Sequence, residues 1–416
     1  MANLPEGCVT PTAGPILEET MEAAETQLVK AEGPWQMGKV VYVALSHMAH
    51  DIFSTMISTL LPVFIDKFSI STLMAGVMPV LVRAPSVFQP FFGRLADKRD
   101  VRWILILWPS VTAIFMTLTG IINNYVAVLL LLTLTGFSAA IFHTVAGPAA
   151  GKYSGNAIGR AMGLWMIGAR IGAAVSPMVV VFTIELVSLK GLPVLIFLGL
   201  ISSVLLYSQF GMQPLFLSST NKTIPRKECW EIVKPIMQPL LIISLIQSFL
   251  GILYTTYLPT FMTQNGSPLW QAGLSMTLFS SAGIPASYIG GDLSDRIGRK
   301  KIFVFSAITT VALNYGFIFV QGWGSIFFAV LIGFTSFLAK PLPMAFVQSE
   351  FPQMRSYANG LYVGITFFLS SFAMLAVGWL ADLFGMRVLY IVFALVFLLS
   401  LPVIMRLPEH KKPETV

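Results

Sequence analysis

The chain has 416 residues, of which 56% are hydrophobic and 11% charged, and its formal net charge is +7. Soluble domains carry roughly 25% charged residues, so this composition excludes a disordered chain, a nucleic-acid-binding module and an ordinary cytosolic enzyme. A membrane-spanning helix needs about 20 apolar residues, and the chain has room for about a dozen such helices.

The predicted elements begin with a cytoplasmic tail at 1–35, which is acidic and lacks the basic-then-apolar pattern of a cleaved signal peptide. A six-helix unit at 36–212, a polar linker at 213–235, a second six-helix unit at 236–408 and a tail at 409–416 follow. The twelve apolar segments lie at about 38–66, 71–95, 101–121, 124–150, 160–185, 190–212, 236–263, 269–294, 301–321, 324–349, 357–384 and 387–406. Helices are expected because lipid offers no partner for backbone polar groups.

The basic residues are distributed unevenly between the two sides of the predicted membrane. Of 26 Lys and Arg, twenty fall in the tails and even-numbered loops, three in the odd-numbered loops and three inside spans. Because basic residues concentrate on the cytoplasmic side, both termini are predicted to be cytoplasmic. The same bias explains the positive net charge without a nucleic-acid partner.

The two halves of the chain repeat each other. Gly136-Phe137-Ser138 matches Gly333-Phe334-Thr335 at an offset of 197, and His143 falls on Lys340 at that offset. The loop Gly93-Arg94-Leu95-Ala96-Asp97-Lys98 matches Gly291-Asp292-Leu293-Ser294-Asp295-Arg296 at an offset of 198. Parallel six-helix repeats are a transporter architecture whose binding site lies between the halves, near the membrane midplane.

The second of these loops continues as Gly298-Arg299-Lys300, and the whole motif resembles the loop signature of the major facilitator superfamily. The first copy departs after Lys98, where Asp100 replaces the Gly of the signature. The resemblance covers about 36–408. It implies an all-α membrane fold of twelve transmembrane helices in two parallel six-helix repeats, and secondary active transport rather than an enzyme activity.

Two segments are similar to a narrower branch of that family, the fosmidomycin-resistance branch. These are Ser46-His47-x-x-His50-Asp51-x-x-Ser54 with Leu60-Leu61-Pro62, and Ile141-Phe142-His143. The branch usually continues the second segment as Pro-Glu-Ala, whereas this chain has Thr144-Val145-Ala146. The resemblance implies efflux of a drug or metabolite.

The loop motifs are candidate gates. The family resemblance implies that Asp97 with Arg94, and Asp295 with Arg296 and Arg299, latch the two halves together in the outward-facing state. Such an Asp would meet basic residues and a helix N-terminus, whose dipole favours an anion. The alternative is a solvated basic loop that only sets the orientation in the membrane.

Ionisable residues near the middle of spans cost roughly 2.5–3.5 kcal/mol each on insertion scales and indicate function by default. They occur in spans one, two, four, five and ten: His47, His50, Asp51, Arg83, His143, Arg170 and Lys340. Spans three, six, nine and twelve, which lie outside the cavity in the family fold, carry none near their centres. The pattern predicts a polar cavity facing away from lipid.

Asp51 is the one carboxylate near a span centre, and His47 shares its helix face because the two are four residues apart. With His50 they form a candidate proton relay, since a histidine titrates near neutral pH. The alternative is a static hydrogen-bonded pair that holds the first span against a neighbour.

Four cationic or potentially cationic groups are candidate ligands of an anionic substrate: Arg83, His143, Arg170 and Lys340. Guanidinium groups bind carboxylate or phosphate with a fork of donors. The alternatives are pairing with Asp51, with backbone carbonyls or with water. Arg170 interrupts a run of small residues at 168–174 that resembles a helix-packing motif of the family's antiporters. Further substrate candidates, with helix packing as their alternative role, are His47, Gln247, Tyr254 and Tyr257.

No ATP-binding loop or nucleophile motif occurs, and the four histidines lack metal-ligand spacing, so we expect neither a cofactor nor a metal. We predict a monomeric inner-membrane transporter that exports a small anionic organic solute in exchange for protons by alternating access. The alternatives are an uptake carrier or exchanger without a proton step, a receptor that binds without translocating, and a lipid transporter.

Overall fold

The computed structural model describes residues 35–89, 91–92, 99–154, 158–215, 228–350 and 355–407. The first set of helices comprises α1 Met37–Ser54, α2 Ile57–Phe68, α3 Thr72–Arg83, α4 Arg102–Leu118, α5 Tyr125–Lys152, α6 Ile158–Val187 and α7 Ile196–Phe210. The second set comprises α8 Glu228–Thr255, α9 Leu258–Gln264, α10 Leu269–Ile297, α11 Arg299–Phe319, α12 Trp323–Leu338, α13 Leu342–Glu350, α14 Arg355–Phe384, α15 Met386–Leu398 and α16 Ser400–Met405. Short 3₁₀ helices at Ala84–Phe88 and Leu189–Leu195 extend α3 and precede α7.

These helices form the twelve predicted spans. Within the described residues, nine helices are long and apolar enough to cross a membrane, and Thr72–Phe88 and Arg102–Leu118 are shorter apolar helices. The one remaining span, which is the eighth in chain order, is the 29-residue α10. The tails, the loop 93–98 and most of the predicted linker lie outside the described residues.

Local sequence signals account for several helix boundaries. The Ser71 hydroxyl accepts a hydrogen bond from the Met74 amide (3.2 Å) and Asn124 accepts one from the Ala127 amide (3.0 Å), so each caps the start of a helix. Gly298 separates α10 from α11 with φ +104°, a conformation that glycine adopts at no steric cost. The glycine of the loop signature is thus explained by backbone geometry.

Several spans are broken near their middle. Span one breaks between α1 and α2 and span seven between α8 and α9, at equivalent positions of the two repeats. The second and tenth spans break where prolines predict it, because α3 changes to a 3₁₀ helix that contains Pro85, and Pro341 lies between α12 and α13. Five prolines in these spans predict kinks: Pro85 and Pro341 lie at breaks, Pro79 and Pro343 lie inside α3 and α13, and Pro90 lies outside the described residues.

Each set packs mainly on itself, and helix pairs that include α2 with α10 join the sets. Inside the first set α1 packs on α6, and inside the second set α10 packs on α12. Between the sets α6 contacts α10, α3 contacts α14 and α2 contacts α9. Because α10 also packs on α12, groups on α6 and α12 can meet at the boundary of the two sets.

The small-residue run of the fifth span lets α6 approach α1 closely. A Cβ atom at Gly168 would overlap the Ala44 carbonyl, and one at Gly172 would overlap the Met48 carbonyl and lie 3.1 Å from the Cβ of Asp51. The predicted packing role of the run is confirmed. The contact also fixes where Asp51 lies relative to Arg170, two residues before Gly172.

Substituting Gly172 with alanine should therefore destabilise the protein. Overpacking a tight contact costs about 1–3 kcal/mol, which outweighs the roughly 0.5–1 kcal/mol that alanine gains over glycine in a helix. Gly163→Ala is the matched control, because Gly163 lies on the same helix and a Cβ atom there would meet nothing within 4 Å. We expect a lower melting temperature for Gly172→Ala alone; equal melting temperatures would contradict this packing.

The two sets are bonded at one end of the molecule, which we call the far end. The opposite end, where α7 ends and α8 begins, is the linker end. Both carboxylate oxygens of Asp382 on α14 accept amide hydrogen bonds at the start of α3, from Thr72 (2.6 Å) and Leu73 (2.8 Å). The Ser58 hydroxyl of α2 donates to the Thr255 carbonyl (3.3 Å). These bonds hold the far ends of the sets together.

Candidate substrate and proton site

Asp51 lies on α1 at the centre of a group of three ionisable side chains. Its Oδ2 is 3.5 Å from Nε2 of His47, and its Oδ1 is 4.0 Å from Nε2 of His143 on α5. Ser54 donates a hydrogen bond to Oδ1 (3.2 Å). Only 3% of the His47 side chain and 14% of the Asp51 side chain are exposed, against 30% for His143. The predicted shared face of His47 and Asp51 is confirmed, and His143 joins them from a distant helix.

The hydrogen bond on the other side of His47 determines its tautomer. Nδ1 lies 3.0 Å from the backbone carbonyl of Trp165. A carbonyl only accepts, so Nδ1 carries a hydrogen and Nε2 of neutral His47 presents a lone pair toward the Asp51 carboxylate. Two lone pairs repel each other, so the contact is favourable when one proton resides on either the imidazole or the carboxylate. The His47–Asp51 pair thus forms a site for one exchangeable proton.

His50 is fully buried and turns toward the third span instead of bonding to Asp51. The Thr112 hydroxyl forms a hydrogen bond with Nδ1 of His50 (3.1 Å) and also lies 2.9 Å from the Trp108 carbonyl. The His50 ring contacts the His143 ring at 5.2 Å between centroids. The structure therefore places the predicted relay residue His50 beside His143, without a hydrogen bond to Asp51.

Two aromatic side chains complete the group and were missed by the sequence reasoning. Trp165 on α6 stacks on His47 with 4.2 Å between ring centroids, and Phe142 stacks on His50 at 4.3 Å. These rings fix the imidazole orientations and limit the approach of water. The one sequence signal for Trp165 was its place in the repeat, where Trp165 matches Tyr362.

The three ionisable side chains around Asp51 also form the candidate cation site in the described part of the chain. The ligand atoms of His47, Asp51 and His143 all lie within 4.8 Å of one another. Sequence spacing argued against a metal-ligand arrangement, and it did not reveal this proximity because His143 comes from another helix. Two imidazoles and a carboxylate could hold a divalent ion such as zinc, or share a proton as described above.

Arg83 and Lys340 each lie at the C-terminal end of a helix inside a span. Arg83 is the last residue of α3, and Lys340 follows α12 by two residues, in the break before Pro341. Helix C-termini carry partial negative charge and favour cations, which explains locally why two cations are tolerated there. Both side chains are exposed, although neither is near the end of its span.

Arg170 connects the two cations to the Asp51 group. Its guanidinium lies 5.5 Å from the centre of the Phe337 ring on α12, across the boundary between the sets. It interacts electrostatically with Asp51, and both Arg170 and Arg83 repel Lys340. We call Arg83, Arg170 and Lys340 the cation trio. Its members come from both sets, Arg83 and Arg170 from the first and Lys340 from the second.

Three predicted substrate ligands of the second set lie elsewhere. Tyr254 is 2% exposed and donates to Oδ1 of Asn314 (2.7 Å), and Tyr257 is fully buried at the far end, with its hydroxyl against Gly76 and Met374. Nε2 of Gln247 faces the Ser400 hydroxyl on the last span (3.5 Å). These contacts favour the packing alternative for the two tyrosines in this state, because their hydroxyls bond within the protein.

Removing the Tyr254 hydroxyl should accordingly affect stability and not substrate affinity. A buried hydrogen bond contributes about 1 kcal/mol, and its loss leaves the Asn314 amide oxygen unsatisfied. We expect Tyr254→Phe to unfold at a lower temperature while its affinity for substrate stays within about twofold of wild type, an energy difference well under 1 kcal/mol. Thermal unfolding and substrate titration, both followed by protein fluorescence, measure the two quantities. A large loss of affinity would restore Tyr254 to the site.

The predicted gate residues that the structure describes pair within the second set. Arg296 forms an ion pair with Asp292 one turn earlier on α10 (3.0 Å), and Arg299 donates to the Ala345 carbonyl on α13 (3.1 Å). Arg94, Asp97 and the side chain of Asp295 lie outside the described residues. The described contacts of Arg296 and Arg299 lie within the second set, and the latch stays a prediction.

Comparison with known proteins agrees with the fold and identifies the family. The family model of the Major Facilitator Superfamily matches residues 43–373 and 240–416. The Fosmidomycin resistance protein of Escherichia coli is 24% identical over 383 residues, covering 89% of this chain and 92% of that protein. The Multi-drug resistance efflux pump PmrA of Streptococcus pneumoniae is 22% identical, covering 72% and 81% respectively.

Solved structures resemble the chain in fold. A mutant form of the nucleoside transporter NupG superposes with a TM-score of 0.75 at 16% identity, covering 89% of this chain and 99% of that one. At this identity the similarity concerns the fold alone. The family match spans well over half of the chain, so the protein is a multi-pass membrane transporter, not an enzyme, and it belongs to the major facilitator superfamily.

Proposed function

We propose that the protein exports a small organic anion in exchange for protons by alternating access. The observation that carries this proposal is the cation trio at the boundary of the two sets, where Asp51 supplies the one nearby carboxylate among the described residues. Buried or cavity-lining charges need partners, and an anionic solute would supply the missing one. Export is favoured by the names of two relatives, which denote drug resistance and efflux.

The orientation follows from charge. Twenty of the 26 basic residues lie in the tails and even-numbered loops, which places the linker end in the cytoplasm. The tails at 1–35 and 409–416 and the linker at 213–235 are then cytoplasmic, and 36–212 and 236–408 are the two moving units. Because the far end is closed by the Asp382 and Ser58 bonds, we interpret the described state as inward-facing.

The proton step is assigned to the His47–Asp51 contact, with His143 on the second carboxylate oxygen and His50 behind it. Arg170 faces the same carboxylate and also belongs to the cation trio, so proton and substrate act on one residue. A change of state that wets or dries this group would alter where the proton is most stable. This shared contact is the proposed physical link between proton movement and anion movement.

The proposal is tested by reconstituting the purified protein into proteoliposomes and following organic anions under an imposed pH gradient. We expect anion movement against its own gradient, opposite in direction to the proton flow, and dissipation of that movement by a protonophore. Movement that equilibrates without responding to the pH gradient would indicate a carrier without a proton step. Transport confined to neutral or cationic solutes would overturn the anion assignment.

A further inference from the structure

The cation trio has an imbalance that one ordinary counter-ion does not remove. Lys340 belongs to the second set, whereas Arg83 and Arg170 belong to the first, and both repel it. Within the described part of the chain, neither Arg83 nor Lys340 makes a side-chain hydrogen bond or ion pair. Asp51 interacts with Arg170, so when the His47–Asp51 pair has released its proton, three positive charges and one negative charge leave two positive charges in excess.

The repulsion acts between parts that must move toward each other. The sets are bonded at the far end, so reversing the access requires the linker ends to approach. Approach shortens the distances from Lys340 to Arg83 and Arg170, and the repulsion between like charges rises as the distance falls. An empty site would therefore resist closure at the linker end.

We propose that the substrate is a dianion, either a dicarboxylate or a phosphate monoester, whose two charges are shared between Lys340 on one set and Arg83 and Arg170 on the other. This inference rests on the proposed function and names the charge of its substrate. A monoanion neutralises one excess charge and leaves the other to oppose closure. A dianion neutralises both and gives each set a partner, so it draws the linker ends together.

The aromatic surface beside the trio suits such a ligand. Phe337 lies against the guanidinium of Arg170, which holds that group in place at the boundary. Guanidinium groups bind carboxylate or phosphate oxygens through paired donors, whereas an ammonium acts as a point charge. The two kinds of cation can therefore take two separated carboxylates or the oxygens of one phosphoryl group, and the test distinguishes these two chemistries.

The test compares matched mono- and dianions at pH 8 on the purified full chain. The pairs are monomethyl succinate with succinate, monomethyl phthalate with phthalate, and methyl phenyl phosphate with phenyl phosphate. Dissociation constants are measured by protein fluorescence and calorimetry. We expect at least one dianion to bind about tenfold or more tightly than its monoanion, a difference of about 1.4 kcal/mol. The pair showing the preference identifies carboxylate or phosphoryl chemistry.

Variants then assign the preference to the trio. In Lys340→Gln and in Arg83→Gln the ratio between dianion and monoanion affinity should fall toward one, because one excess charge remains. Lys190→Gln, at an exposed lysine in the 3₁₀ helix before α7, should keep the wild-type ratio. Two results would overturn the dianion inference: equal affinity within every pair, or a ratio that is unchanged in both trio variants. Either result leaves the proposed anion transport standing. Failure of all six anions to bind also overturns the dianion inference.

Discussion

Replacing Asp51 with asparagine is expected to abolish proton-driven transport while retaining substrate binding. Asparagine has nearly the same size but never releases a proton, so the contact with Nε2 of His47 becomes a permanent neutral hydrogen bond. The concentration ratio that transport builds up should fall at least about tenfold, because without the proton step nothing supplies the roughly 1.4 kcal/mol that each tenfold ratio requires. Proteoliposome flux measured from pH 6 to pH 8 would show a flat profile.

Asp66→Asn is the matched control for this substitution. Asp66 lies on α2 of the same span, is exposed, and is outside the His47–His143 group. It should transport like wild type with an unchanged pH profile. If Asp51→Asn keeps both its uphill transport and its pH dependence, the group is a static packing contact and the proton step is elsewhere.

Substituting Arg83 or Lys340 with alanine is expected to remove most of the binding energy for an anionic substrate. A hydrogen bond to a charged group contributes about 1.5–3 kcal/mol, so affinity should fall by roughly ten- to 150-fold. Neither side chain makes a hydrogen bond or ion pair to another described residue, so the fold should tolerate each substitution. A thermal-shift screen of organic anions on the wild type and on each variant measures this loss.

The control for the screen is Lys190→Ala, which removes a cation outside the site. This substitution should lower neither the rise in melting temperature that an anion causes nor the affinity for that anion. Anion stabilisation that persists in both Arg83→Ala and Lys340→Ala would exclude the cation trio as the substrate site. Loss of stabilisation in the control as well would show a general charge effect.

Much of the architecture is readable from the sequence because lipid restricts the alternatives. Twelve apolar segments predict twelve helical spans, since backbone groups in lipid must bond within a helix. The breaks at Pro85 and Pro341 follow from a missing amide and a steric clash. The i,i+4 spacing of His47 and Asp51 predicts their shared face, and the structure confirms it.

The remaining parts of the site depend on packing between distant helices. His143 reaches Asp51 from α5 and Trp165 stacks on His47 from α6, and neither distance is encoded in local spacing. Tyr254 and Tyr257 look like cavity residues in the sequence because an aromatic hydroxyl suits either role. Their partners Asn314 and Met374 become apparent only when the helices are assembled.

The central claim is that the cation trio faces a water-filled passage between the two sets, and cysteine labelling tests it most directly. Lys340→Cys is made in a chain whose Cys8 and Cys229 are serine, with Val204→Cys on the outer face of α7, 68% exposed, as the lipid-facing control. We predict that a charged maleimide labels position 340 from the linker side and that substrate slows the reaction. Labelling only by a lipid-soluble reagent, as expected at 204, would contradict the account.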